Sequence, residues 1–113
     1  MMLYTTIVLF AIAAVIGFII LKNWLTSATT SRTVVYSHGI FAAAALILLV
    51  VFAFQNPTSY PKVSIILFVI GALGGLYMFA EDLKKRLSPT WLAIVHALFG
   101  VAGFVTLLFF VFG

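Results

Sequence analysis

The sequence predicts an all-α membrane protein: four transmembrane helices, laid down as two tandem hairpin repeats, closing into a four-helix bundle with a pseudo-two-fold axis. Three observations predict it. Of the 113 residues, 65% are hydrophobic and only 7% charged. A soluble domain has about 25% charged residues, so this chain could not cover a water-facing surface. The apolar residues fall in four stretches, each near the roughly 20 residues needed to cross a ~30 Å hydrocarbon layer. Finally, the sequence matches itself without a gap when slid by 58 positions, the distance from His38 to His96. Ile7, Leu9, Phe10, Ile12, Ala14 and Gly17 then fall on Ile65, Leu67, Phe68, Ile70, Ala72 and Gly75. Phe41, Ala44, Leu49, Phe52 and Phe54 fall on Phe99, Ala102, Leu107, Phe110 and Phe112. Identities among Leu, Ile, Phe and Ala are common in so apolar a chain, but His38 and His96 are its only two histidines. The chain therefore reads as a single transmembrane domain, 1–113, with repeats over about 3–55 and 61–113, and such internal symmetry constrains the whole architecture.

Each span has local justification. Only helices or closed barrels satisfy their backbone groups in lipid, and these runs lack the alternation of barrel strands. The first helix is expected from Leu3 to Leu21. Its start carries no Lys or Arg, and its apolar run is long enough to span, so it reads as a retained helix and not a signal peptide. A Ser- and Thr-rich loop follows over Asn23 to Thr33. The second helix is expected from Val34 to Phe54 and is closed by a turn between Asn56-Pro57 and Tyr60-Pro61. The third runs from Val63 to Ala80, with Pro61 where a first-turn proline loses no hydrogen bond. The fourth runs from Thr90 to Phe112, with Ser88 expected as N-cap and Pro89 as first helical residue.

Loop charge predicts orientation. Lys22 and Arg32 flank the first loop, and Lys84, Lys85 and Arg86 lie in the third, whereas the second loop and both termini offer only Lys62. By the positive-inside rule, loops 1 and 3 are expected in the cytoplasm and both termini outside. The expected location is a bacterial inner membrane, with the lipid bilayer as first partner. Composition also excludes function classes. The net charge of +4 forms no basic stripe beyond Lys84 to Arg86, so no nucleic-acid partner is expected. There are no cysteines, which removes disulfides, thiol catalysis and thiolate metal sites. No glycine-rich phosphate loop is present. Ser37 and His38 are adjacent on a helix and point about 100° apart, so they are no catalytic pair, and no hydrolytic or nucleophilic site is expected.

The histidines carry the functional expectation. Both are placed a few residues into their helices, roughly 6–9 Å below the cytoplasmic interface at ~1.5 Å per residue. The repeat sets them at one depth on opposite sides of the axis. Ala42 and Ala45 follow His38 on its own face, and Gly100 and Gly103 follow His96. These four residues make flat walls beside the imidazoles. The first and third helices carry their own small pairs, Ala13 with Gly17 and Gly71 with Gly75, which read as close helix packing. Ionisable groups inside a span are rare and default to function.

Two opposed imidazoles suit the axial positions of a haem iron. In architecture and in His38 and His96, the chain resembles the small four-helix, membrane-embedded b-type cytochromes, in which histidines from different helices ligate haem. The resemblance implies one bis-histidine haem b, with Lys22, Arg32, Lys84, Lys85 and Arg86 as propionate partners. It also implies electron transfer with a quinone or within a larger respiratory-type complex, so any enzymic role would be a redox one. A second reading is a non-catalytic accessory or assembly subunit of such a complex, its histidines hydrogen-bonding across the bundle. A small transporter fits less well, because the first helix holds no acid. Two histidines are too few for a closed zinc site.

Overall fold

The computed structural model describes residues 2–113. Four helices follow one another: α1 (Met2–Leu25), α2 (Arg32–Gln55), α3 (Lys62–Leu83) and α4 (Thr90–Phe112). All four are long and apolar enough to cross a membrane, and the bundle measures 44 × 21 × 19 Å. The protein is thus an integral membrane protein whose solvent is the lipid bilayer, and no strand occurs among the described residues.

Three helices run further than their apolar stretches. α1 continues past Leu21 to Leu25, α2 starts at Arg32 and α3 reaches Leu83. Polar residues end a hydrophobic run, but Lys, Asn, Trp and Glu all sustain helical hydrogen bonding, so the helices continue beyond the hydrocarbon layer. Loop 1 accordingly shrinks to 26–31. Ser31 caps α2, its Oγ accepting from the Val34 N–H at 3.3 Å. Ser88 does not cap α4. Pro89 holds the N-cap position in extended conformation, φ −62° and ψ 142°, and Ser88 is buried in front of it. Proline fixes φ but leaves ψ open, and the φ that suits a first helical residue suits an extended one equally. Pro61 stands likewise at the N-cap of α3.

The two hairpins end their first helices identically. Ser27 has φ 59° and Lys85 φ 58°, and these positions are repeat equivalents. The Ala28 N–H donates to the Asn23 carbonyl at 2.8 Å, and the Arg86 N–H donates to the Glu81 carbonyl at 2.9 Å. The Ser27 and Lys85 N–H groups donate to Trp24 and Asp82. This is the six-to-one and five-to-two pattern of a Schellman C-cap, normally built around glycine. Here Ser and Lys take the left-handed conformation, so no glycine marked the turns in the sequence.

Packing follows the repeat. α1 pairs with α2 and α3 with α4 as hairpins, while α1 faces α3 and α2 faces α4 across the diagonals. Phe10 and Phe68 stack at 3.9 Å between ring centres with planes 6° apart. They are repeat equivalents on α1 and α3, so the pseudo-two-fold axis passes between them. Leu49 with Leu107, and Thr6 with Ser64, are further equivalent pairs in the interior, all at 0–1% exposure. The two remaining seams, which exact symmetry would make equal, differ. α1 and α4 run in close contact, whereas α2 and α3 approach each other at few places.

Candidate functional site

His38 lies six residues after the start of α2, and His96 six residues after the start of α4. With α2 starting at Arg32 and α4 at Thr90 as expected, both histidines stand at the same depth. Their ring centres are 6.1 Å apart and their planes 82° apart. The imidazoles converge across the bundle, as the repeat predicted.

Neither ring is held by its own helix. His38 Nδ1 lies 2.8 Å from the Ala13 carbonyl oxygen on α1, and His96 Nδ1 lies 2.6 Å from the Gly71 carbonyl oxygen on α3. Ala13 and Gly71 are repeat equivalents, so one hydrogen bond has been built twice. A carbonyl can only accept, so each Nδ1 carries the hydrogen and donates. In the neutral ring this leaves the lone pair on Nε2, the nitrogen available to a metal. Among the described residues neither Nε2 has a hydrogen-bond partner, and neither is sealed off as a buried unpaired atom.

The approach to those carbonyls depends on a missing side chain. Side chains on a helix lean back toward its N-terminus, so the Cβ of residue i+4 lies over the carbonyl of residue i. Four residues after Ala13 and Gly71 stand Gly17 and Gly75. A Cβ at Gly17 would lie 2.9 Å from His38 Cε1, and a Cβ at Gly75 would lie 2.9 Å from His96 Cε1. Both imidazoles therefore rest on bare backbone. These small pairs had read as close helix packing, and at Gly71 a Cβ would lie 3.8 Å from the Gly100 nitrogen and 3.9 Å from the His96 oxygen of the α4 backbone. The same pairs also seat and orient an imidazole from the neighbouring helix. Their spacing and their recurrence in both repeats were visible in the sequence, but which helix faces which was not.

The four residues expected to form flat walls separate into two groups. Ala45 is fully buried in the core cluster with Phe10, Phe68, Leu49 and Leu107. A Cβ at Gly103 would lie 2.9 Å from the Phe68 ring. Ala45 and Gly103 therefore accommodate the phenylalanine pair. Ala42 and Gly100 remain one turn from the imidazoles and half-buried, and a Cβ at Gly100 would meet nothing within 4 Å.

The basic residues gather at the histidine end of the bundle with mixed engagement. Arg32 pairs with Asp82 at 3.8 Å and Arg86 with Glu81 at 3.9 Å. Lys22, Lys84 and Lys85 are exposed and make no ion pair among the described residues. Nor do the described residues hold any cluster of three or more His, Cys, Asp or Glu side chains fit to cage a metal ion. The two histidines by themselves offer only two nitrogens.

Two such nitrogens would suit only a metal that already carries its other ligands. Two imidazoles sharing one metal through Nε2 hold their ring centres about 6 Å apart, since each metal–nitrogen bond is about 2 Å and each ring centre lies about 1 Å behind its nitrogen. The observed 6.1 Å agrees, as does a hydrogen bond from the far nitrogen to a carbonyl, the usual support of a ligating histidine. Comparison with protein-family models, with curated proteins and with solved structures finds no match to this chain.

Proposed function

We propose that the protein is a membrane-embedded electron carrier, or the redox subunit of a larger complex, binding one haem b between His38 and His96. The reading is carried by one observation: two repeat-related imidazoles, 6.1 Å apart, each with Nδ1 tied to a backbone carbonyl and Nε2 left free. Bound haem supplies one-electron chemistry, its potential set by its axial ligands and the polarity around it. The chain's own residues hold and orient it. The Ala13 and Gly71 carbonyls fix each ring's tautomer and direction. Gly17 and Gly75 let the rings reach those carbonyls. The stacked Phe10 and Phe68, with Ala45 and Gly103 beside them, fill the next layer of the core and bar water from the bundle interior. Basic residues at the histidine end offer partners for the propionates, with Lys22, Lys84 and Lys85 the freest.

In this reading the protein lies in a bacterial inner membrane, and the bias of loop charge supports a cytoplasmic histidine end with both termini outside. A quinone or a neighbouring subunit of a respiratory-type complex is the electron partner in this reading. Purified protein reconstituted with haem tests it. A shifted Soret band with the sharp visible bands of bis-imidazole ligation is the expected result. Colourless protein with no Soret shift on haem addition overturns the reading and leaves a packing or assembly subunit in its place.

A further inference from the structure

The duplicated fold should have two equal seams, because the pseudo-two-fold axis exchanges the α1/α4 seam with the α2/α3 seam. They are unequal: α1 lies close along α4, and α2 stands off from α3. At the histidine end the looser seam is bridged by two side-chain contacts. The Tyr36 ring meets the Phe79 ring edge-on at 5.7 Å. One turn further out, Arg32 meets Asp82 at 3.8 Å. Arg32 and Tyr36 are four apart on α2, and Phe79 and Asp82 three apart on α3, so each pair shares a helix face. Phe79 also follows Gly75, which rests on His96, by one turn. The aromatic contact therefore lies between the imidazole pair and the charged rim. Neither contact is strong. Both charged side chains are more than half exposed, and exposed pairs of this length contribute little.

We propose that the α2/α3 seam is the portal through which a planar, carboxylate-bearing macrocycle reaches the imidazole pair. Tyr36 and Phe79 are its leaves, and Arg32 leaves Asp82 to pair with a ligand carboxylate. The proposal rests on the haem reading and adds to it a route and a partner residue. An arginine that exchanges one carboxylate for another keeps its charge paired throughout. Parting the helices at this end opens the Tyr36–Phe79 and Arg32–Asp82 contacts and breaks no hydrogen bond between α2 and α3 among the described residues.

The chain has no cysteine, so introduced thiols report cleanly. In one variant Tyr36→Cys and Phe79→Cys are joined by a short, reductively cleavable thiol cross-linker. In a control, Tyr4→Cys and Phe112→Cys are joined likewise across the α1/α4 seam, where those rings lie 6.0 Å apart. Haem is added and the Soret shift is followed in time. The expected result is at least a tenfold slowing in the first variant, full recovery once the linker is cleaved, and no slowing in the control. Recovery on cleavage also shows that the variant is folded. Unchanged uptake in the first variant, or slowing in the control instead, overturns the portal. The partner residue is read with Asp82→Asn, which should bind haem several-fold more tightly yet bind haem dimethyl ester, whose carboxylates are blocked, no better than wild type does. An equal effect on both ligands, or none, removes Arg32 from the proposal. Unmodified protein is run beside the variants: if it gives no Soret shift, the haem reading itself has failed, whereas a normal shift with an indifferent seam condemns the portal alone.

Discussion

The two ends of the bundle have treated the duplication differently. Around the imidazole pair at the histidine end the copies repeat the same contacts: His38 with His96, Ala13 with Gly71 as acceptors, Gly17 with Gly75 beneath the rings, and Ser27 with Lys85 in the same left-handed turn. Only the rim there differs, with Arg32, Tyr36, Phe79 and Asp82 matched to Thr90, Ile94, Leu21 and Trp24. At the other end they have diverged. Tyr4 stands where the second repeat has Lys62, and Leu48 where it has Thr106. Thr6 turns its hydroxyl back to the Met2 carbonyl at 2.9 Å, while its equivalent Ser64 reaches across to Thr106 at 2.8 Å. An imidazole seated on the neighbouring helix needs both a carbonyl acceptor and bare backbone beneath it, so backbone, glycine and imidazole repeat together. Filling lipid-embedded volume requires only size and satisfied hydroxyls, which many side-chain sets provide.

The largest expected break of this comparison is at the two histidines. His38→Ala and His96→Ala should each abolish the Soret shift completely and to the same extent. A variant that keeps the bis-imidazole spectrum would show that the two ends are not functionally distinct. Next come the seats. Gly17→Ala and Gly75→Ala each place a Cβ 2.9 Å from an imidazole carbon, an overpacking expected to cost about 1–3 kcal/mol. Each should also weaken haem binding. Gly39→Ala, where a Cβ meets nothing within 4 Å, should instead stabilise α2 by up to about 1 kcal/mol through helix propensity. SDS titration followed by circular dichroism checks all three, and equal losses at positions 17, 39 and 75 would contradict the seating role.

At the diverged end, Ser64→Ala removes a hydroxyl that bonds across helices and should cost about 1 kcal/mol. Thr6→Val removes one that bonds only its own helix and should be close to neutral in the same titration. The smallest effect returns to the matched end. Ser27→Gly and Lys85→Gly relieve a left-handed non-glycine residue and should each stabilise by about 0.5–1 kcal/mol. Unequal gains would show that the two turns, alike in φ, are not alike in strain.

Much of this was legible from residues alone. The four spans followed from the lengths of the apolar runs, and the depth of the histidine pair followed from the gapless repeat. The boundaries moved because hydropathy marks where lipid ends and not where helical hydrogen bonding ends, as Lys22 to Leu25 illustrate. Ser88 looked like a cap because a serine before a proline commonly is one, but Pro89 kept an extended ψ and took the position itself. The glycines were visible at their spacing, yet in a membrane chain such pairs ordinarily mean helix contact, and their use as imidazole seats depends on a neighbour in another helix. Ala45 and Gly103 shared a helix face with the histidines in sequence, and the interior phenylalanines claimed that face.

The sequence by itself determined the class, the count of spans, the duplication and the fact that two histidines share one level. Only the tertiary structure decided that the rings meet at 6.1 Å, that each takes its hydrogen-bond acceptor from a residue 25 positions earlier, and that one of two equivalent seams is more loosely packed than the other. The reason lies in the solvent. A helix in water declares its buried face by an apolar stripe, and its rotation can be read from period alone. These helices are apolar all round because lipid surrounds them. Their rotations, and hence which residues meet across the axis, were set by Phe10 against Phe68 and by glycine against imidazole, contacts that exist only once the helices have packed.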